Sequence, residues 1–373
     1  MIVLLIVTGR IFAAATSVLL ALLALAPAAW GVATPVGSGS TSILMNRGLY
    51  QLLKLEGVHV SALTPGTVQG RLTTLPVGTG LLDPASGKGS VGLEGGVEFR
   101  ARQRRVTLTE LALDTTKHTL TGRLGGRKLP IAGAIGLTAT REGFGASTAV
   151  KGLKLRPTAA KILNRKLGLD RVFRSGRSFA EASSSTQPGA LTILGGSIVL
   201  TGAEAAFAKL KALEVEATPF ESATVLSLKP PTFGFPLLPS GAAVPLDLSG
   251  GGMGSETGLR LIQQGGSPAA ELSLVGLSVS LESKILSADT SAETPSAGPR
   301  RFGVTPIATL DTAGASTSTN PSTRTITLAN ATATIDQFLA ENLNETFAKP
   351  KGKAPPFSPG EPLGTVTITV QTQ

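Results

Sequence analysis

Through much of the chain, apolar and polar residues alternate at period two. The runs Val106-Thr107-Leu108-Thr109-Glu110-Leu111-Ala112-Leu113 and Gly364 to Val370 are of this kind and rich in Thr, Val and Leu. Such runs predict antiparallel strands with one buried face. Clusters of turn-forming residues separate them, at Leu82-Asp83-Pro84-Ala85-Ser86-Gly87, at Gly250 to Gly254 and at Thr294 to Pro299. Two stretches switch to helical spacing. Thr158 to Phe173 places Ile162, Leu163, Leu167 and Leu169 on one broad face, and Thr332 to Phe347 does the same with Ile335, Phe338, Leu339 and Leu343. Leu49 to Leu55 reads either as a shorter helix or as an extended segment. The Pro-rich stretch from Ala348 to Pro362 reads as an extended loop that feeds the last strand.

The pattern also occurs twice. Tyr50 to Val58 aligns without gaps with Phe207 to Val215, Gly96-Val97-Glu98-Phe99 with Gly258-Leu259-Arg260-Leu261, and Leu108, Leu111 and Leu113 with Leu274, Leu277 and Val279. Further on, Leu155 to Ile162 aligns with Leu328 to Ile335, Phe173 with Phe347, and Gly189 to Ile193 with Gly364 to Ile368. The separation between partners grows along the chain and never reverses, as it does when two homologous units lengthen their loops independently. The expected architecture is therefore mostly β, with two tandem β-sandwich-like domains, each carrying one or two short α-helices. The expected division is residues 1–33, 34–197 and 198–373.

Residues 1–33 read as an export signal. Arg10 precedes an apolar run from Ile11 to Ala26, followed by small residues suited to signal peptidase, with cleavage after Ala28 or Ala33. The alternative is an uncleaved membrane anchor, because apolar residues lie on both sides of Arg10. Any contact with a membrane is expected only through this segment.

Composition narrows the chemistry. The 373 residues include no Cys and two His, which excludes disulfide scaffolds, thiolate metal sites and thiol nucleophiles and leaves acid–base triads short of parts. Gly87-Lys88-Gly89 lacks the glycine spacing and the Ser or Thr after Lys that a phosphate loop requires. Nucleophile-elbow, zincin and EF-hand patterns are absent too. No catalytic residues and no metal ligands are therefore assigned, and a non-catalytic binding protein is expected.

Charge divides the two halves. Residues 41–197 carry 22 Lys+Arg against 9 Asp+Glu, whereas residues 198–373 carry 11 against 15. Within the basic half, Arg100, Arg102, Arg104 and Arg105 form the candidate anion-binding group, and strand alternation predicts Arg100, Arg102 and Arg104 on one face. Such a face suits anionic cell-wall polymer, lipid head groups or a ligand's carboxylates; a solvated surface or attraction between the two domains explains it equally well. Nucleic acid is disfavoured by export and by the lack of stacking aromatics near the basic run.

Tyr50, His59 and His118 are the candidate cofactor ligands, since a phenolate oxygen supported by an imidazole is a workable arrangement for ferric haem. Each also has a structural explanation. Tyr50 aligns with Phe207, as a packing aromatic does, while His59 aligns with Glu216 and His118 falls in a turn, as surface polar residues do.

The order Gly95-Gly96-Val97-Glu98-Phe99, the alternating strand through Leu113, Leu120 to Gly122, Leu155 to Asn164 and Phe173-Arg174-Ser175-Gly176 resembles the HtaA (haem-transport-associated) domain family. The second copy is similar through Gly258, Leu277, Ile326 to Ile335, Leu343 to Phe347 and Pro362-Leu363-Gly364. The resemblance implies an exported, mostly β domain of actinobacterial cell surfaces, some members binding haem through a tyrosine near the domain start, which is Tyr50 here. It also marks two departures: no tryptophan precedes Tyr50 in the domain, and Arg102 stands where a histidine is common. The expected function is a secreted or surface-associated binding protein with haem as candidate ligand; the alternative is a structural or adhesive wall protein whose basic first domain holds anionic polymer. Cleavage after Ala33 removes Trp30, the single Trp of the chain. Protein recovered from the medium is therefore expected to show tyrosine but no tryptophan fluorescence, and a tryptophan emission band would refute that cleavage.

Overall fold

The computed structural model describes residues 33–265, 269–348 and 354–373. The export signal assigned to residues 1–33 lies outside the described residues except for Ala33. The first unit comprises β1 (Thr34–Met45), α1 (Arg47–Leu55), β2 (Val58–Leu63), β3 (Thr67–Gln69), β4 (Leu72–Leu82), β5 (Gly89–Leu93), β6 (Gly96–Ala101), β7 (Arg104–Asp114), β8 (Thr119–Leu124), β9 (Arg127–Glu142), β10 (Gly145–Leu155), α2 (Pro157–Leu167) and β11 (Ser178–Pro188). The second comprises β12 (Leu191–Gly202), α3 (Glu204–Ala212), β13 (Val215–Phe220), β14 (Thr224–Leu228), β15 (Pro231–Leu237), β16 (Ala243–Val244), β17 (Gly252–Gly254), β18 (Gly258–Gln263), β19 (Glu271–Ser280), β20 (Ile285–Thr294), β21 (Gly298–Asp311), β22 (Ser316–Asn320), β23 (Thr325–Ile335), α4 (Gln337–Phe347) and β24 (Pro362–Thr372). Two β-rich units, each with two short helices, match the expectation of two mostly β domains carrying one or two short helices each. Among the described residues no helix is long and apolar enough to cross a membrane.

Each unit is one antiparallel sheet curled around its own core. In the first, the order β7-β5-β4-β1-β11-β10-β9-β8 returns to β7 through the β7–β8 ladder, and β2 and β6 extend from β7 as a flap. Closure leaves these eight strands no free edge. The break in alternation between Leu108 and Leu111 is a bulge: Glu110 adopts φ +51° and the β7–β8 register shifts between Thr109 and Ala112, so that Leu108, Leu111 and Leu113 are all buried. In the second unit the path β13-β18-β19-β20-β21-β23-β24-β12-β15-β14 repeats this order, with short β16 and β17 where the first unit has β5.

Equivalent hydrogen bonds fix the correspondence. Tyr50 N donates to Asn46 O as Phe207 N does to Ala203 O, and Arg156 N donates to Ile131 O as Asp336 N does to Ile307 O. Tyr50 and Phe207 are thus equivalent, and so are α2 and α4. The alignments of Leu155 to Ile162 with Leu328 to Ile335 and of Phe173 with Phe347 are corrected: Leu155 matches Ile335, and Phe173 matches Phe357. The reason is local. Thr332 to Ile335 ends strand β23, as its β-branched residues favour, and the helix begins only after Asp336, whose side chain accepts from Phe338 N at 2.9 Å. Helix α2 ends at Leu167, well short of Phe173. Gly189 to Ile193 is likewise realigned, because Leu191 opens β12, the counterpart of β1. The division at 197/198 thus falls inside a strand; the sheets change over between Pro188 and Leu191.

The two barrels meet at the ends remote from their helices. The turn between β9 and β10 reaches across, and Phe144, 4% exposed, is buried in the hydrophobic core of the second barrel. Beside it Arg141 Nη2 donates to Gln373 O at 2.6 Å. Partial burial, then the nearby Arg324, lowers the Arg141 guanidinium pKa, and Asp83 opposes the shift. Phe144→Ala leaves a cavity in a core its own barrel does not build, and is expected to lower the stability of the second barrel by about 3–5 kcal/mol, read as an earlier denaturant midpoint. An unchanged midpoint would show that Phe144 packs elsewhere.

Candidate functional site

The helix-bearing end of the first barrel gathers most of the chemistry. Asn46 starts α1, its side chain accepting from Gly48 N at 2.9 Å, and its own N–H donates to Phe179 O at 2.8 Å, which ties the helix to β11. Leu53 is fully buried, and Leu49 and Tyr50 are half-buried on either side of it. Leu52, by contrast, is 47% exposed.

Pro157 at the first helical position presets α2, which buries Ile162, Leu163 and Leu167. The helix ends at Gly168 with φ +69°, a backbone conformation that favours glycine, and the flexible end of Arg104 occupies the space beside it. In the last turns Asn164 points at the following loop. Its Nδ2 donates to Phe173 O at 2.8 Å, and its Oδ1 accepts from Phe173 N at 2.9 Å. The ring held in this way is buried, edge-on to Phe99 at 5.7 Å. Asn344 makes the same pair of bonds to Phe357, at 2.8 and 3.1 Å.

Between α1 and this loop runs an open cleft of about 310 Å³. Leu49, Leu52, Phe173 and Phe179 give it apolar walls, and Arg174 and Arg177 stand exposed at its rim. No ion pair among the described residues engages either arginine; those of the first barrel are Arg100–Glu98, Lys117–Asp114 and Arg123–Glu110. The cleft can therefore offer two free guanidiniums to carboxylates while covering an apolar body. Arg174 and Arg177 belong to the basic half of the chain, but nothing in the sequence brings them to a site. The signal was the buried Phe173 beside them, legible only once its clamp by Asn164 is seen.

The predicted residues do not form a single cluster. Tyr50 shares this end of the barrel, with the Lys54 ammonium 5.0 Å from its ring centroid. At 100° per residue it lies on the opposite flank of α1 from Leu52 and does not line the cleft. His59 is exposed on the outer face of β2, opposite Arg100 of β6. His118, at φ +52°, sits in the turn between β7 and β8. The length of β7, about 30 Å at 3.3 Å per residue, separates it from the helix end, so one iron cannot reach both His118 and Tyr50.

The arginine face is corrected as well. Arg102 adopts φ +50° in the two-residue turn between β6 and β7, so Arg100 and Arg104 lie on different strands. Register instead sets Arg100 opposite Arg105 and also opposite His59, making one exposed cross-strand row. Arg104 turns towards Gly168, where it lines a separate open hollow with Arg102 and Glu56. Among the described residues no three His, Cys, Asp or Glu come together as a metal site.

The architecture is thus a tandem pair of β-barrels, each capped by two helices. No protein-family model matches the chain, and no curated protein does. Among solved structures it is similar to the C-terminal domain of HtaA from Corynebacterium glutamicum, at 15% identity over 49% of this chain and 99% of that one, with a TM-score of 0.37. It is also similar to the N-terminal domain of HtaA from the same organism, at 13% identity, 49% and 99% coverage and a TM-score of 0.37, and to the heme binding protein HtaB, at 11% identity, 49% and 96% coverage and a TM-score of 0.34. Each match spans about half the chain.

Removal of the clamp tests how the cleft is built. Asn164→Ala leaves both backbone groups of Phe173 without their partner and is expected to cost about 1–3 kcal/mol in chemical unfolding, with faster amide exchange across residues 168–177. Exchange as slow as in the parent chain would show that the loop is held by other contacts.

Proposed function

We propose that this chain is an exported, non-catalytic binding protein whose first barrel takes haem at its helix-bearing end. The observation that carries the reading is the cleft beside α1: apolar walls and two arginines free of ion pairs suit an amphipathic anion, and haem combines a flat apolar macrocycle with two carboxylates. A phenol oxygen of the kind ferric iron favours, that of Tyr50, belongs to the same end of the barrel. When bound, haem would supply the redox-active iron. The chain's own residues would cover the macrocycle with Leu49, Leu52 and Phe179 and hold its carboxylates with Arg174 and Arg177, while Tyr50 stands on the opposite flank of the same helix, outside the cleft. The second barrel has Phe207 in place of Tyr50 and offers no such oxygen. Export rests on the apolar segment after Arg10, and the surface of the cell is the proposed place of action.

Titration of the full chain with hemin tests this through the Soret band. Saturable binding is expected, weakened about tenfold by Arg174→Ala and again by Arg177→Ala, since a charge-assisted contact contributes about 1.5–3 kcal/mol. Tyr50→Phe is expected to leave band position and affinity unchanged, because Tyr50 does not line the cleft. A band shifted in Tyr50→Phe would place the macrocycle on the other flank of α1 and refute the cleft as its site. Absence of any Soret change in the parent chain would overturn the proposal.

A further inference from the structure

The second barrel contains a cavity with a different chemistry. It measures about 50 Å³, and every side chain that lines it is apolar. Ala206, Phe207 and Leu210 of α3 form one wall, Leu343 of α4 and the buried Phe357 another, and Leu363 completes the rim. Phe207 and Leu363 are only half-buried, so the cavity opens towards the surface between α3 and the start of β24. Across that opening Lys209 Nζ bonds Glu361 Oε2 at 2.6 Å and lies 5.7 Å from the Phe357 ring centroid.

From these contacts we infer that the second barrel is a binding site for a small apolar guest, an alkyl group of a few carbons, with the Lys209–Glu361 pair closing its mouth. An apolar void attracts no water, because a water there would find no partner, whereas dry cavities of roughly 150 Å³ accept xenon or benzene. The space here is smaller and suits a guest of xenon size, or the end of an alkyl chain whose remainder leaves through the mouth. Position 207 makes the contrast with the first barrel. There the equivalent residue is Tyr50, beside Lys54; here it is Phe207, stacked on Phe233 at a centroid distance of 6.0 Å with the rings 25° apart, its side chain lining the cavity. Duplication has thus given two helix-bearing ends of opposite preference, one for an amphipathic anion and one for a hydrocarbon.

Methyl-resolved NMR of the full chain under xenon pressure, followed by n-butane, tests the inference. The expected result is a saturable shift of the Leu210, Ile307 and Leu343 methyl signals, displacement of xenon by butane, and no comparable change in the methyl groups of the first barrel. Ala206→Leu fills the space and is expected to weaken the response at least tenfold while hemin titration is unaltered; Ala206→Val serves in the same way should the larger side chain impair folding. An absence of saturable shifts, a response that survives both substitutions, or equal shifts in both barrels would overturn the site.

Discussion

A sheet that curls around its own core leaves that core open at two ends, and both barrels are shaped by the need to cover those ends. At one end the solution is a helix and a buried ring. Asn164 holds Phe173, and Asn344 holds Phe357, through a pair of bonds in which one side-chain amide satisfies both backbone groups of the aromatic residue. Without them the loop would bury two polar groups at a cost of a few kcal/mol. At the other end Phe144 of the first barrel enters the core of the second. The cleft follows from this arrangement, because the loop that plugs the first barrel also sets Arg174 and Arg177 beside α1.

Much of the architecture was legible because burial imposes a period. Strands such as β7 and β24 announce themselves by alternation, and the equivalence of Tyr50 with Phe207 or of Gly96 with Gly258 survived in the residues themselves. The register of the last third was not legible. Strand β23, Thr325 to Ile335, is rich in Ala and Thr, and its Ala-Thr-Ala-Thr run can be laid on the start of α2 as easily as on a strand; only the hydrogen bond of Asp336 N to Ile307 O shows where the helix begins. The arginine run misled for a related reason: alternation says which side a residue takes along one strand, yet a two-residue turn at Arg102 divides the run between two.

The site was less legible than the fold. Tyr50 was found because it is the one tyrosine of the chain, but its flank of α1 depends on the position of Leu53 in the core, which a sequence does not display. His118 and Tyr50 look close in a list of rare residues and lie at opposite ends of a long strand. The apolar cavity gave no sign at all, since Leu210, Ile307 and Leu343 read simply as core positions; an unfilled space between such residues is a property of packing and not of pattern.

The meeting of the barrels through Phe144 bears on any attempt to divide the molecule. The change of sheet at Gly189 and Ala190 looks like a natural place to cut, yet severing it would leave one fragment with a naked phenylalanine at its tip and the other with an empty socket. Neither fragment would be a faithful copy of the domain it represents. Mixed together, the two halves would have a ready reason to find each other again.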